Sequence, residues 1–261
     1  MARITVNGKV AEAREGTSVL EAARGAGIDI PTFCHHDALG PFGACRLCVV
    51  EVEGAALART VLPACTLPVS EGLVVETDTG HLQLFRKTIV QLLVSSLPPT
   101  EALERVAHRF GVIVPPFTND RPDACALCGL CVRVCRDRIG AAALAFHGDG
   151  TRRWSVAERV VLDPQACVGC GTCAVLCPVG AIAVEDRGDE RCVSLYGVVV
   201  SRLERVRCSA CGAPHATRRF QDLVSSRLDP EQRRAASDLC PACAHEQRAA
   251  ALSGTGLGLE D

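Results

Sequence analysis

Two segments of the sequence decide its fold: CALCGLCVRVC at residues 125–135 and CVGCGTCAVLCP at residues 167–178. Each segment spaces four cysteines by two, two and three residues, and 31 residues separate the two copies. Identical internal spacing, written twice, predicts two equivalent metal sites. The alternative is eight structural cysteines in disulfides or zinc sites, and a repeated pattern disfavours it.

The spacing within each copy is typical of cubane [4Fe–4S] clusters. Three cysteines at intervals of three residues surround one side of a cubane, so the fourth thiolate must arrive from another direction. In bacterial two-cluster ferredoxins it comes from the other motif. One cluster is therefore assigned to Cys125, Cys128, Cys131 and Cys177. The other cluster is assigned to Cys167, Cys170, Cys173 and Cys135.

The two copies differ at one flanking position. Pro178 follows the last cysteine of the second copy, whereas Arg136 follows that of the first. Proline fixes φ and turns the chain away from the cluster. An arginine at the same place either loosens that turn or puts a cation near the cluster, which would raise its potential.

Composition narrows the class of protein. The 261 residues suggest one to three domains, and the 17 cysteines occur in metal-ligand spacings. The first residues lack the apolar core of a signal peptide, so we expect a reducing, cytoplasmic location. No run of eighteen apolar residues predicts a membrane span. A formal net charge of −2 and 3% aromatic residues argue against a nucleic-acid partner.

The first 78 residues contain a second kind of cysteine pattern. Two short strands are predicted around the turn Asn7-Gly8, and Ser18 with Glu21 forms a capping box that starts a helix. Four cysteines then follow with gaps of 10, 2 and 16 residues, namely Cys34, Cys45, Cys48 and Cys65. This set is predicted to bind a [2Fe–2S] cluster, with zinc as the less favoured alternative.

Ten residues lie between the first two cysteines of this site, whereas plant-type ferredoxins have four residues there. The stretch from Pro31 to Glu53 resembles the N-terminal ferredoxin-like domain of the respiratory complex I large subunit. The same module occurs in NAD-linked hydrogenases, formate dehydrogenases and iron-only hydrogenases. The resemblance implies a β-grasp fold. His35 and His36 adjoin Cys34, but four cysteines already complete the site, so neither histidine is predicted to be a ligand.

Residues 79–118 are predicted to form a helical connector. Its first helix, from His81 to Ser95, has an apolar stripe at Leu82, Phe85, Ile89, Leu92 and Leu93. Pro98 and Pro99 end it, and Thr100 caps a second helix that continues to Phe110. In the family that the chain resembles, this region often holds a further cluster with one histidine ligand. That motif is missing here, so His81 is interpreted as an ordinary helix residue.

Between the two long motifs, Ala141–His147 and Trp154–Leu162 are predicted to form a β-hairpin. Trp154 is the only tryptophan and is predicted to pack in this hairpin. A closing strand begins near Ile182. Cys192 lies outside every motif and is interpreted as a buried free thiol.

The C-terminal part carries two further cysteine pairs. They are Cys208 with Cys211 and Cys240 with Cys243, separated by 28 residues. Four thiolates form a tetrahedral site for zinc, with a single rubredoxin-type iron, another cluster or disulfides as alternatives, and His245 as a spare ligand. Ser194–Leu203 is predicted to be one strand. Helices are predicted at Phe220–Leu228 and Pro230–Ala236, and a frayed tail after Ala249.

The predicted fold class is α+β. Residues 1–78 form the β-grasp [2Fe–2S] domain, 79–118 the helical connector and 119–190 a bacterial-type 2[4Fe–4S] ferredoxin domain. Residues 191–248 form a zinc-ribbon-like module with one Zn²⁺, and 249–261 a flexible tail.

The sequence contains no nucleotide motif and no recognisable catalytic residues. The resemblance implies an electron-transfer subunit of a multi-subunit oxidoreductase. Its partners would be a flavin subunit of the diaphorase type, which handles NAD(P)H, and a catalytic subunit such as a hydrogenase or formate dehydrogenase. Two alternatives stay open: a self-contained small reductase, and a metal-stabilised binding or scaffold module. For the second, Arg205, Arg207, Arg218 and Arg219 could form a basic patch.

Overall fold

The computed structural model describes residues 1–53, 59–114, 125–148, 159–229 and 238–254. The strands of these ranges are β1 (Ala2–Val6), β2 (Lys9–Ala13), β3 (Val49–Glu53), β4 (Arg59–Pro63), β5 (Val74–Glu76), β6 (Leu144–His147), β7 (Arg159–Leu162), β8 (Ile182–Arg187), β9 (Glu190–Leu195), β10 (Val198–Arg207) and β11 (Pro214–Thr217). The helices are α1 (Val19–Gly25), α2 (Gly80–Ser96), α3 (Glu101–Arg109), α4 (Leu130–Arg133), α5 (Thr172–Val175), α6 (Arg218–Arg227) and α7 (Pro241–Gly254). A π-helical segment (Val134–Ile139) continues α4.

The N-terminal part is a five-stranded mixed sheet with α1 packed on it. Its strand order is β2-β1-β5-β3-β4, with β1 parallel to β5 and the other neighbours antiparallel. Asn7 and Gly8 both have positive φ, as a two-residue hairpin turn requires. The Ser18–Glu21 capping box is present and starts α1. The predicted hairpin and helix start are therefore confirmed.

Helices α2 and α3 begin where the sequence predicted, capped by Thr79 and Thr100. The predicted apolar stripe of α2 is wrong in part, because Phe85 is 36% exposed and Leu92 is 61% exposed. The buried face is instead the row with four-residue spacing, formed by Leu82, Arg86, Val90 and Val94. The hydropathy pattern did not predict this row as the buried face, because one of its four residues is an arginine.

Arg86 is buried because it binds the main chain that leads into β3. Its Nε donates to Leu47 O at 3.0 Å, and its Nη2 donates to Val49 O at 2.6 Å. The arginine therefore ties α2 to the segment that contains Cys48. Leu47, Val90 and Leu103 share one apolar cluster, which joins the first sheet to α2 and α3.

The two long cysteine motifs have matching backbones. The residues on either side of the second cysteine, Leu127 and Gly129 in one copy and Gly169 and Gly171 in the other, all have positive φ. The hairpin between the motifs is confirmed, since β6 pairs antiparallel with β7. The prediction for Trp154 lies outside the described residues.

The first motif packs directly on the N-terminal part. Phe42, from the loop between Cys34 and Cys45, stacks on Phe146 of β6 with ring centroids 5.9 Å apart. Gly129 lies beneath this pair, and a Cβ built there would be 2.7 Å from the Phe42 ring. The equivalent Cβ at Gly171 would have no heavy atom within 4 Å.

The last sheet has the order β11-β10-β9-β8 and is antiparallel throughout. The predicted single strand Ser194–Leu203 is wrong, because Tyr196 and Gly197 have positive φ and turn the chain between β9 and β10. Strand β8 pairs with β9 along its length, so the sheet extends across residue 190, the predicted domain boundary. It therefore joins the strand that follows the second motif to the C-terminal part.

Two expectations for the C-terminal helices are corrected. Helix α6 begins at Arg218, two residues before the predicted start, because Thr217 caps it. Helix α7 runs to Gly254, so the chain is still helical beyond Ala249, where a frayed tail was expected. The helix predicted at Pro230–Ala236 lies outside the described residues. Among the helices described, none has the length and hydropathy needed to cross a membrane.

We expect Arg86→Met to destabilise the chain by about 2 kcal/mol, because the carbonyls of Leu47 and Val49 lose their buried donors. Arg105→Met is the matched control, since Arg105 makes an exposed pair with Glu101 that contributes about 0.5 kcal/mol or less. Thermal unfolding of the full chain measures both. Equal midpoints for the two variants would contradict the structural role of Arg86.

Gly129→Ala and Gly171→Ala separate backbone strain from packing. Both place a Cβ at positive φ, which costs about 1 kcal/mol. Only Gly129→Ala also forces the Phe42 ring to move, so we expect a larger loss of thermal stability for it. The prediction is wrong if the two variants unfold at the same temperature.

Candidate metal centres

The four N-terminal cysteines converge at the edge of the first sheet. Cys34, Cys45 and Cys48 lie on the loop between α1 and β3, and Cys65 follows β4. Thiol–thiol hydrogen bonds link Cys34 to Cys45 and Cys48 to Cys65. All but the half-buried Cys45 are at most 2% exposed. The predicted [2Fe–2S] set is therefore brought together.

The loop directs its N–H groups at these sulfurs. Cys34 accepts from the amides of Cys45 and Ala44, and Cys65 accepts from those of Gly43 and Phe42. The hydrogen bond from the Cys45 thiol lowers the pKa of Cys34 to about 6. The hydrogen bond from the Cys48 thiol likewise lowers the pKa of Cys65 to about 7. The loop amides therefore point at the sulfurs, where a bound cluster would place its negative charge.

Gly43 permits this loop conformation. Its φ is +74°, and a Cβ at this position would be 3.2 Å from Thr66 Cγ2. A side chain there would strain the backbone and press on Thr66, which follows the fourth cysteine of the site.

The first long motif and the last cysteine of the second line one cavity. Its ligand-type residues are Cys125, Cys128, Cys131 and Cys177. The Leu127 amide donates to Cys125 Sγ at 3.4 Å, and the Ala181 amide donates to Cys177 Sγ at 3.2 Å. Desolvation raises the pKa of Cys128 to about 11, so metal binding must displace a proton there.

The second cavity has the reciprocal composition. Its ligand-type residues are Cys135, Cys167, Cys170 and Cys173. Cys135 lies in the π-helical segment, which places it in this cavity. The Ala143 amide donates to its sulfur at 3.3 Å. Desolvation raises the pKa of Cys173 to about 12. Each cavity thus contains three cysteines of one motif and the fourth cysteine of the other, as the spacing predicted.

The C-terminal cysteines form a compact group near α7. The sulfurs of Cys208, Cys211, Cys240 and Cys243 all lie within 4.8 Å of one another. The sulfurs of Cys211 and Cys240 are 3.8 Å apart, the separation expected around a tetrahedral ion with bonds of about 2.3 Å. Hydrogen bonds from the amides of Cys211 and Cys240 lower the pKa of Cys208 to about 6. His245 is exposed and outside this group.

The donor sets fit the predicted groups. Each of the three N-terminal and central sites offers four sulfurs, backbone N–H groups aimed at them, and a largely apolar wall. The fourth site offers four sulfurs at the spacing of a single ion. Iron–sulfur clusters supply one-electron transfer, whereas zinc would be structural.

Several residues around these sites were missed by the sequence analysis. Tyr196 lines the cavity of the second site and donates to Val160 O, Arg191 donates to Gly169 O, and Arg219 donates to Pro164 O. Arg86 and Arg133 donate to carbonyls of the first loop. Only Arg133 lies within a motif, and there it is not at a ligand position. Their distance in sequence from their partners hid them, and only the weak signal of an arginine in an apolar helix face marked Arg86.

The histidines and Arg136 have other partners. Arg136 is exposed and pairs with Asp137 at 2.6 Å, so its charge points to solvent. His35 Nε2 lies 3.2 Å from Asp37, and His36 Nδ1 accepts from the Ala38 amide at 3.1 Å. His81, predicted to be an ordinary helix residue, lies 3.0 Å from the buried Glu51.

The C-terminal arginines do not form a free basic patch. Arg205 pairs with Asp186, and Arg207 pairs with Asp189. Arg218 lies 3.9 Å from Glu204. Arg219 is bound to backbone carbonyls. Three of the four arginines of the predicted patch therefore face a carboxylate.

Family models match both iron–sulfur regions. Residues 1–80 match a 2Fe-2S iron-sulfur cluster binding domain, and residues 124–181 match a 4Fe-4S dicluster domain.

Relatives cover the same part of the chain. An NADH-quinone oxidoreductase subunit of Rhizobium meliloti is 30% identical over 208 residues, which are 70% of this chain and 24% of that protein. The NADP-reducing hydrogenase subunit HndD of Solidesulfovibrio fructosivorans is 31% identical over 212 residues, 70% of this chain and 36% of that protein. The chain thus spans about a quarter to a third of these relatives.

A solved structure resembles most of the chain. A chain of an NAD⁺-reducing [NiFe]-hydrogenase, crystallised in its H2-reduced state, aligns with a TM-score of 0.52 and 25% identity. The alignment covers 89% of this chain and 98% of that one. The chain therefore carries a 2Fe-2S iron-sulfur cluster binding domain and a 4Fe-4S dicluster domain, and it is homologous to subunits of NADH-quinone oxidoreductases and NAD(P)-linked hydrogenases.

Proposed function

We propose that this chain is the electron-transfer subunit of a multi-subunit oxidoreductase, and that three iron–sulfur sites form one path through it. The observation that carries the proposal is the contiguity of the three sites. Cys34 of the first site and Cys128 of the second belong to one buried cluster of side chains. Cys131 of the second site and Cys173 of the third also lie in one cluster of packed side chains.

The proposed ligands are the cysteines that converge at each site. Cys34, Cys45, Cys48 and Cys65 would hold a [2Fe–2S] cluster. Cys125, Cys128, Cys131 and Cys177 would hold one [4Fe–4S] cluster, and Cys135, Cys167, Cys170 and Cys173 the other. Cys208, Cys211, Cys240 and Cys243 would hold Zn²⁺, because the site offers four thiolates and leaves no open position for a substrate.

The strand order of the first sheet, with α1 packed across it, supports a β-grasp assignment for residues 1–78. The connector at 79–118 and the dicluster domain at 119–190 are proposed with the same bounds as from sequence. The module at 191–248 is proposed to be zinc-ribbon-like. It shares its sheet with β8, so it would not separate cleanly from the domain before it.

The partners are proposed from the relatives. Both kinds of relative are NAD(P)-linked, which supports a flavin subunit of the diaphorase type on one side. The alignment with an NAD⁺-reducing [NiFe]-hydrogenase chain supports a hydrogenase or a similar catalytic subunit on the other. None of the seventeen cysteines forms a disulfide, which supports a reducing, cytoplasmic location. Within the residues that the structure describes, no observation favours a self-contained reductase or a binding module.

Cys173→Ala tests the cluster assignment, with Cys192→Ala as the matched control because Cys192 is a buried thiol outside every site. The parent chain, purified without oxygen, should hold about ten irons and about ten sulfides, the content of one [2Fe–2S] and two [4Fe–4S] clusters. Cys173→Ala should lose one of the two [4Fe–4S] signals in electron paramagnetic resonance (EPR), while Cys192→Ala keeps both. A parent chain with zinc but no acid-labile sulfide, even after reconstitution, would refute the function.

Cys240→Ala tests the fourth site separately. Removal of one of four thiolates should abolish binding of one zinc ion per chain, because a structural site needs all four ligands. Elemental analysis measures the zinc, and the EPR signals of the three clusters should persist. Retention of zinc, or an additional iron in its place in the parent chain, would contradict the zinc assignment.

A further inference from the structure

Arg133 lies on α4 between two proposed cluster ligands of different sites, Cys131 and Cys135. A short, ligand-bearing helix of a small domain would be expected to point an arginine at solvent. Arg133 is instead 4% exposed. Its side chain extends toward the N-terminal part of the chain and fills the space between the first two sites.

The guanidinium joins two segments that are about a hundred residues apart. Nη2 donates to Cys34 O at 2.5 Å, and Nη1 donates to Gly40 O at 2.6 Å. Nε donates to Gly129 O at 3.3 Å, within the first long motif. The Phe42 ring covers the guanidinium, with its centroid 4.9 Å from Cζ. Every contact is to a carbonyl or a ring, and the carbonyls belong to the ligand-bearing loops of two different sites.

The positive charge has no carboxylate partner within ion-pair distance among the residues that the structure describes. The nearest acid on its own helix, Asp137, pairs with Arg136 at the surface. A buried charge without a counter-charge is strongly destabilising. The guanidinium instead binds the carbonyl of Cys34, a proposed ligand of the first site, and Arg133 lies two residues from Cys131, a proposed ligand of the second.

The other arginines near the sites differ in one respect each. Arg86 is buried, but its bonds go only to Leu47 and Val49, on the far side of the first loop. Arg191 is neutralised by Asp186 at 2.6 Å. Arg138 also donates from the same helical stretch to a carbonyl of the first loop, that of Ala38, but it is exposed. In the described part of the chain, Arg133 alone combines burial, an unpaired charge and contacts to two sites.

We infer that Arg133 is a positioning residue that couples the [2Fe–2S] site to the first [4Fe–4S] site, fixing their separation and raising both reduction potentials. The inference rests on the proposed function, because it needs both clusters. A cluster held by four thiolates carries net negative charge that increases on reduction, so a nearby buried cation stabilises the reduced form. One shared cation acts on both sites and is poorly screened by solvent.

The test compares Arg133→Gln with Arg138→Gln in the full chain. Glutamine removes the charge and can still donate to a carbonyl. In an EPR-monitored redox titration, Arg133→Gln should shift the midpoints of the [2Fe–2S] cluster and of one [4Fe–4S] cluster to lower potential, and should move the remaining cluster less. The matched control Arg138→Gln should leave all three unchanged, since water screens the exposed charge. Iron and sulfide content is measured first in every sample.

Arg133→Lys keeps the charge but cannot reach Cys34 O and Gly40 O together. It should lower the same two potentials by less than glutamine does, and weaken the magnetic interaction between the two reduced clusters. If the glutamine variant does not bind its clusters, the potentials and the magnetic interaction measured in the lysine variant test the inference. Parent-like potentials and coupling in a fully loaded Arg133 variant would overturn the inference. A parent chain without iron and sulfide would instead refute the proposed function.

Discussion

The structure depends on one constraint, the exchange of a cysteine between two motifs. Cys177 joins the cavity of the first motif, and Cys135 joins the cavity of the second. Each motif therefore needs the other, and the hairpin between them must return the chain to the correct place. The π-helical segment shifts Cys135 out of the register of α4, a local irregularity of the kind that often marks a functional site.

Side chains from other parts of the chain hold the cysteine loops by donating hydrogen bonds to the loops' backbone carbonyls. Arg86 and Arg133 bind the loop of the first site. Arg191, Arg219 and Thr217 bind the loop of the third site, which contains Cys167 and Cys170. Amides face inward to the sulfurs, so the carbonyls of the same loops turn outward and require donors. Arginine suits this role because its planar fork reaches two carbonyls at once, as Arg86 and Arg133 both do.

This arrangement explains how a chain with few aromatic residues builds a core around three sites. The apolar clusters contain the ligand cysteines themselves, so metal binding and folding are coupled. Phe42 and Phe146 are used where the two iron–sulfur regions meet, and a glycine beneath them allows close approach. The same packing that stabilises the contact also brings the first two sites together, as the proposed electron path requires.

The sequence alone determined which sixteen cysteines the structure brings together in four groups, because the spacing of cysteines is a local property of the chain. It also determined the hairpin at Asn7-Gly8 and the helix starts at Ser18 and Thr100, which are set by local hydrogen bonds. It misjudged the buried face of α2, the turn at Tyr196-Gly197 and the extent of α7. Only the tertiary structure decided what surrounds the sites. Arg133 looks like a surface residue until the fold places Cys34 and Gly40 beside it, since a contact across about a hundred residues leaves no periodic signal in the sequence.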